Sequence, residues 1–329
     1  MKTAYTIEFA NVQHIGTLNN RERVRIGNVL LGPVPFDSTN GMSPWRTAAV
    51  VQVDANTAEE AEKLAVSSLE NAITVLTYVL CRQAMVELPK IHDEFDGDTT
   101  ISQVLDEDSD QRIWRRQLQG VPEDSSDEGE SKVLVMNFTR FRPLHRFVSG
   151  NLERFVSDRT TQMLWQILSG DFEESISRTD KVHTRHMDSA GFAATYLRRS
   201  MESRPPHDLI DAFSGLETLF ADGITPIATD VGDGVAYTSA SRNDPSAIAD
   251  IQERVKVLYN DRSRLVHGDH LAGEISHAAW TAEKMLVESI GFCLMHENMI
   301  VECGGTKSWL EKIRLGCREA LEPEGGLSL

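Results

Sequence analysis

The chain has 329 residues, of which 40% are apolar and 25% charged, and its formal net charge is −17. This length suffices for two domains with separate cores, and the composition is typical of soluble globular proteins. No stretch approaches 18 consecutive apolar residues, and the first residues lack an apolar core, which argues against a membrane span or a secretory signal. The four cysteines show no Cys-x-x-Cys spacing, so we expect reduced thiols and a cytoplasmic protein.

Residues 1–141 predict an α+β domain. Thr57 and Glu60 form a capping box, which predicts a helix from there to about Arg82. We find no glycine-rich phosphate loop, nucleophile triad or metal cluster in this domain, so we expect it to sense a signal, to bind a partner or to restrain the second domain. Alternating apolar residues predict strands over residues 2–12, 22–31 and 46–54, and an apolar run predicts another over 133–138. The predicted inner stripe of the helix is Ala61, Leu64, Ala65, Leu69, Ala72, Ile73, Leu76 and Leu80.

An acidic segment, residues 92–130, interrupts this domain. It holds thirteen Asp and Glu residues against three arginines, so a net −10 of the total −17 lies there. From Glu123 to Glu130 it contains only serine, glycine and acidic residues, which predicts a mobile loop. The loop is either a solvated insertion or a mimic of nucleic acid that covers a basic groove until a trigger arrives.

The pattern becomes helical after Pro143 and predicts an all-α bundle over residues 142–329. Glycine, serine and proline residues predict a long loop over 223–246, which either connects two helices or gates a site. The predicted helices cover residues 144–157, 159–169, 185–203, 206–222, 247–267, 274–301 and 306–320.

The helix over 247–267, called here the motif helix, carries an arginine at an unusual place. Its apolar seam has 4-3-4-3 spacing, and Arg262 occupies a seam position where an aliphatic residue is expected. A buried guanidinium requires an acidic partner, a wet interface or an anionic ligand. Gly268, directly after His267, predicts a left-handed cap that ends the helix. The seam consists of Ile251, Val255, Leu258, Arg262 and Leu265.

Arg262 and His267 can together bind a phosphate and move a proton beside it. Residues five apart diverge by about 140° on a helix, so the two side chains converge only if the helix end unwinds or a second copy contributes. This geometry predicts a homodimer through the motif helix. The alternatives without catalysis are that His267 only caps the helix and that Arg262 pairs with Glu253 or Asp261. Arg264 is a rival phosphate ligand, three residues before His267.

The run over residues 258–268 resembles the signature of the HEPN superfamily, specifically its Apea-like branch. The resemblance rests on Tyr259, on Arg262-Ser263 and on the closing Val-His-Gly, and it is extended by a segment over 209–220 that resembles the preceding helix with its embedded Glu217. It covers roughly residues 185–305. Many members of the superfamily carry Asn, Asp or His directly after the arginine, whereas this chain has Ser263, as in the Apea-like branch.

This resemblance implies a metal-independent endoribonuclease without a cofactor, of the kind found in toxin–antitoxin or phage-defence systems. Arg262 would stabilise the phosphorane, and His267 would act as general acid or base. Glu217 would hold the guanidinium of Arg262, or it is simply a carboxylate on a helix face; Tyr259, Ser263 and Arg264 would support the site. The implied partners are an RNA substrate and an antitoxin or trigger protein. The alternative is a non-catalytic HEPN module that binds RNA, nucleotide or a partner protein.

Basic residues also cluster outside the motif helix. Arg140, Arg142 and Arg146 alternate with aromatic residues, which suits RNA contacts but also suits extended surface side chains. A second basic group spans residues 181–199 and includes a His-x-x-His pair at 183 and 186. No third ligand with supporting spacing is evident, so we predict no metal site.

Overall fold

The computed structural model describes residues 2–12, 23–35, 45–91, 132–138, 154, 156–170, 181–203, 206–221, 226–239, 242–268 and 275–316. The chain divides into two compact units, residues 1–157 and 158–329. The predicted domain boundary at residues 141–142 lies outside the described residues. The acidic segment and most of the predicted helix over 144–157 lie outside them as well.

The N-terminal unit contains a five-stranded sheet in the order β2-β3-β4-β1-β5. Neighbouring strands are antiparallel, except that β5 runs parallel to β1. Both faces of β1 are buried over residues 5–9, since Thr6 and Glu8 on one face are buried as well as Tyr5, Ile7 and Phe9 on the other. The strands are β1 (Thr3–Val12), β2 (Val24–Ile26), β3 (Val29–Pro35), β4 (Trp45–Ala55) and β5 (Lys132–Phe138).

The predicted single strand over 22–31 is wrong, because residues 24–35 form the β2–β3 hairpin. Gly27 has a φ of 55°, a left-handed conformation that a two-residue hairpin turn requires and that glycine adopts without strain. Asn28, the second turn residue, donates a side-chain hydrogen bond to the Gln52 carbonyl of β4 at 2.8 Å. The Gly-Asn pair was therefore a turn signal inside an apolar run.

Helix α1 (Ala58–Ile91) begins at the predicted capping box and runs past the predicted end at Arg82. The backbone N–H of Glu60 donates to Thr57 Oγ1 at 3.1 Å. The Glu60 carboxylate accepts from the backbone N–H of Asn56 at 2.9 Å, which lowers the pKa of Glu60. Leu64 was assigned wrongly to the inner stripe: it is 42% exposed because it falls at the edge of the buried face.

The segment Ala58–Gln83 of α1 is long and apolar enough to cross a membrane by length and composition alone. However, 67% of its most apolar window is buried. Helix α1 packs against β4 and β1, so its apolar composition is explained by the sheet that it covers.

Every regular element that the structure describes in residues 158–329 is a helix. Helix α4 packs against α3, α7, α5 and α6 and is therefore central to this unit. The predicted helix over 274–301 is in fact two helices, with a break at His296 (φ −110°). The helices are α2 (Arg159–Ser169), α3 (Lys181–Glu202), α4 (His207–Phe220), α5 (Ile227–Thr238), α6 (Pro245–Val266), α7 (Ile275–Met295), α8 (Glu297–Glu302) and α9 (Thr306–Arg314).

The predicted loop over 223–246 is wrong, because α5 occupies its middle. Its two glycines permit close helix packing rather than a turn. A Cβ on Gly234 would overlap the ring of Phe220, and one on Gly232 would lie 3.7 Å from Cα of Gln252 in α6. The composition of this segment resembles a loop because small residues were needed where neighbouring helices approach.

Two buried aspartates of α5 are paired with an arginine of α9. Arg314 Nε lies 2.6 Å from Asp233 Oδ2, and Arg314 Nη2 lies 2.9 Å from Asp230 Oδ1. Gln252 of α6 donates to Asp233 at 2.7 Å. Burial alone would lower the pKa of Arg314, but the two carboxylates raise it overall. This network joins α5, α6 and α9 and explains how a helix with acidic residues is buried.

His186 of α3 connects three helices through its ring. Its Nε2 lies 3.1 Å from the Cys293 carbonyl oxygen, and its Nδ1 lies 3.2 Å from Thr306 Oγ1. Burial lowers the pKa of His186, since the hydrogen bond to the carbonyl only partly offsets the desolvation and nearby His183 lowers it further. The neutral ring is therefore favoured in the folded state.

We expect this histidine to make the protein less stable in acid. The folded pKa lies below the unfolded value of about 6.5, so the unfolded state takes up more protons as the pH falls through that value, and the free energy of unfolding decreases. The His186→Gln variant should lose less stability than the wild type between about pH 7 and pH 5, as measured by urea denaturation. Some dependence should persist because burial and Arg242 also lower the pKa of His296. Equal pH dependence in both proteins would contradict the assignment.

Candidate active site

Helix α6 has local signals at both ends. Asp244 caps its N-terminus by accepting from the backbone N–H of Ser246 at 2.9 Å, and Pro245 is its first residue. At the other end, Gly268 has a φ of 86° and donates to the Leu265 carbonyl at 3.0 Å, as the left-handed cap predicts. Val255 and Leu258 of the predicted seam are fully buried, and its other members are half-buried.

Arg262 lies at the contact between α6 and α4. Its Nη2 is 3.2 Å from Glu217 Oε2, and the two side chains are 21% and 20% exposed. One turn earlier on each helix, the rings of Tyr259 and Phe213 are tilted against each other with centroids 5.7 Å apart. Aromatic packing and an ion pair therefore form adjacent contacts between the same two helices, and the contact predicted for Glu217 is present.

The alternative partners proposed for Arg262 do not pair with it. Glu253 instead lies 3.5 Å from Lys256 on the exposed side of α6. Asp261 forms no hydrogen bond or ion pair with Arg262 among the described residues. The acidic partner that a seam arginine requires is thus supplied by another helix.

The ion pair between Arg262 and Glu217 leaves hydrogen-bonding capacity unused. Arg262 Nε and Glu217 Oε1 are both buried and have no hydrogen-bond partner among the described residues. Burial raises the pKa of Glu217, and the charge of Arg262 opposes that effect. A proton on Glu217 would leave the guanidinium charge uncompensated. The arrangement can therefore offer a fixed cation to an anionic ligand.

His267 is the C-cap residue of α6, and its side chain is exposed. Helical geometry places it about 140° from Arg262 and about 60° from Arg264 around the axis. Within the described part of one chain, the His267 imidazole has no hydrogen-bond or ion-pair partner, and Arg264 is exposed. Ser263, directly after Arg262, is partly exposed. One chain therefore does not join Arg262 and His267 by a direct contact.

The other predicted basic residues divide into two groups. Arg140, Arg142 and Arg146 lie outside the described residues. In α3, Lys181 and Arg185 are exposed, whereas the later arginines serve the fold. Arg198 pairs with Glu202 at 2.8 Å; Arg199 pairs with Asp211 at 3.1 Å and lies over the Tyr196 ring.

Both histidines of the His-x-x-His pair in α3 contact other residues of the protein. Both ring nitrogens of His186 are engaged as described above, and His183 Nε2 lies 3.8 Å from Glu297 Oε2. No cluster of three or more potential metal ligands occurs among the residues that the structure describes.

Sequence reasoning missed a groove between α6 and α7. It brings Arg254 of α6 and His277 of α7 to the same surface. No sequence motif connects these two residues, because only the tertiary packing of the two helices places them together. Their amphipathic spacing could have identified each as exposed, but not as neighbours.

Comparison of the chain with family models, with curated proteins and with solved structures gave no match.

Proposed function

We propose that the C-terminal unit is an HEPN-type domain whose site at the α4–α6 contact cleaves RNA without a metal ion. The observation that carries this proposal is the placement of Arg262. Within the part of the chain that the structure describes, Arg262 is held by Glu217 of α4 but its Nε has no hydrogen-bond partner, and His267, whose imidazole also has no partner there, lies little more than one helical turn away. A fixed cation and an imidazole suit proton transfer at a phosphodiester when a second copy of the chain brings the two groups into one cleft.

The proposed reaction uses the 2′-hydroxyl of the RNA as nucleophile. Its oxygen attacks the adjacent phosphorus while its proton passes to a base, and the bond from phosphorus to the 5′-oxygen breaks. The leaving oxygen takes up a proton, which gives a 2′,3′-cyclic phosphate and a 5′-hydroxyl. Arg262 stabilises the negative charge of the phosphorane, and His267 transfers a proton. Glu217 positions Arg262, while Tyr259, Ser263 and Arg264 support the site.

The proposal includes a homodimer through α6. Because Arg262 and His267 point to different sides of one helix, Arg262 of one copy and His267 of the other would form each cleft. On the basis of the same family resemblance, we propose that the protein acts in the cytoplasm as a toxin–antitoxin or phage-defence effector and that an antitoxin or a trigger protein controls it.

The direct test is incubation of the purified protein with single-stranded RNA in the presence of EDTA. We expect cleavage products that end in 2′,3′-cyclic phosphate, identified by mass spectrometry, at a rate that EDTA does not reduce. DNA of the same sequence should stay intact because it lacks the 2′-hydroxyl. Intact RNA, cleaved DNA or inhibition by EDTA would each contradict the proposal.

A second candidate is a non-catalytic HEPN module that binds RNA, nucleotide or a partner protein. One observation favours it: Glu217 already pairs with Arg262, and α6 directs His267 away from that pair within one chain. RNA binding without cleavage in the same assay would support this second function.

A further inference from the structure

The groove between α6 and α7 has an apolar floor and a polar rim. Its volume is about 490 Å³. Val257, Leu258 and Ala278 form the floor, and Val257 is 51% exposed. Helix α6 packs mainly on α5, whereas α7 packs mainly on α4 and α3. The first turns of α7 therefore touch α6 only lightly, and the groove stays open between them.

The rim of the groove combines hydrogen-bond donors with one carboxylate. Arg254 and His277 are exposed, and their side chains form no hydrogen bond or ion pair with another described residue. Asp261 lines the same groove and is likewise unpaired among the described residues. Thr281 donates its hydroxyl proton to the His277 carbonyl at 2.9 Å, so its oxygen remains an acceptor.

We propose that this groove binds one nucleotide of a single-stranded RNA, an inference that rests on the proposed function and names where its substrate lies. Arg254 and His277 donate to a phosphate, and Asp261 accepts from a ribose hydroxyl or a base N–H. The floor packs against the face of the base. The volume lies within the range of small-ligand sites, about 300–1,000 Å³.

The carboxylate of Asp261 decides between RNA and an acidic peptide. A peptide rich in Asp and Glu would place several carboxylates in the groove, and those beside Asp261 would be repelled, whereas one nucleotide carries a single phosphodiester charge that can lie against Arg254 and His277. A nucleotide instead supplies hydroxyl and amino donors next to its phosphate, which satisfies both signs of charge in the groove. Arg254 lies eight residues before Arg262, about 12 Å along the helix and about 80° around it, so a strand that runs along α6 can reach both arginines.

The test measures binding of a fluorescein-labelled single-stranded RNA by fluorescence anisotropy. All proteins carry Arg262→Ala so that the probe stays intact. We expect Arg254→Gln and His277→Gln each to weaken binding about tenfold. The matched control is Lys256→Gln, which removes one positive charge two residues from Arg254; Lys256 is exposed and paired with Glu253 outside the groove. That control should change the affinity less than about twofold.

The outcomes separate this inference from the proposed function. If both groove variants bind like the control, or if an acidic peptide displaces the RNA as well as unlabelled RNA does, the groove assignment is overturned. If the wild type cleaves RNA and the single variant Arg254→Gln, with Arg262 intact, cleaves it with an unchanged KM, the assignment also fails while the proposed function stands. If the groove variants lose binding but the wild type never cleaves RNA, the groove is a nucleotide site and only the ribonuclease proposal fails.

Discussion

Replacing Arg262 with alanine is expected to lower the rate constant of RNA cleavage by about 100- to 1,000-fold. The guanidinium of Arg262 pairs with Glu217 at the α4–α6 contact, next to the packed rings of Phe213 and Tyr259. The loss of one preorganised donor to a transition-state oxyanion costs about that much. His267→Ala should cause a loss of about 100-fold or more, because a positioned general acid or base contributes about 100- to 10,000-fold. Single-turnover cleavage of a labelled RNA measures both effects.

Lys256→Ala is the matched control for these variants. It also removes one positive charge from α6, but Lys256 is exposed and pairs only with Glu253 at 3.5 Å among the described residues. Its cleavage rate should stay within about twofold of the wild type. If Lys256→Ala lost as much activity as Arg262→Ala, net charge rather than a specific site would explain the loss. Circular dichroism of each variant checks that the helices remain folded.

Mixing the two inactive variants tests whether the site is shared between two copies. In a mixed dimer of Arg262→Ala with His267→Ala, one of the two shared clefts regains both intact residues. After subunit exchange about half of the dimers are mixed, so about one quarter of the wild-type activity should return. No recovery would place both residues in the cleft of a single chain and would remove the argument for dimerisation.

Two substitutions of Glu217 can show whether it positions the Arg262 guanidinium or only neutralises its charge. Glu217→Gln keeps an oxygen that accepts from Arg262, whereas Glu217→Ala leaves the guanidinium without its anchor. If Glu217 positions Arg262, the alanine variant loses more activity than the glutamine variant. If Glu217 only neutralises Arg262, both variants free the cation and both raise the affinity for RNA.

Short-range signals agree with the structure at the ends of two helices. The glycine at 268 requires only a left-handed residue after the last turn, and its φ of 86° agrees with that requirement. The helix predicted over 159–169 has these bounds in the structure, where the Asp158 side chain caps its first turn and Gly170, in a left-handed conformation, ends it. The seam position of Arg262 predicted that its guanidinium needs an acidic partner, a wet interface or an anionic ligand. Only the family resemblance pointed to Glu217, and Glu217 is the acidic partner that the structure shows.

The predictions from sequence were wrong where tertiary contacts outweigh the local conformational preference of the residues. Helix α5 contains two glycines and two aspartates, which disfavour an isolated helix. Packing against α4 and α6 and the pairing with Arg314 stabilise it in the folded unit. The groove between α6 and α7 also depends on tertiary packing and could not be predicted from the sequence, because only the packing of α7 against α4 brings His277 near Arg254.

Gly234→Ala is expected to lower the free energy of unfolding by about 1–2 kcal/mol. The new Cβ would overlap the ring of Phe220, which is 3% exposed and has little room to move. Overpacking of a core costs about 1–3 kcal/mol, and this cost outweighs the gain of about 1 kcal/mol from replacing glycine within a helix. Urea denaturation of the wild type and the variant measures the difference.

Gly232→Ala, two residues away on the same helix, should have the opposite effect. Its Cβ would lie 3.7 Å from the Gln252 backbone, which is ordinary contact, so the helix-propensity gain of about 0.5–1 kcal/mol remains. Phe220→Leu should partly relieve the Gly234→Ala defect, since it removes the ring that the new methyl group meets, and a double-mutant cycle would show that coupling. If both glycine variants were equally tolerated and uncoupled from Phe220, α5 would not pack against α4, and a loop over 223–246 would again be the better interpretation.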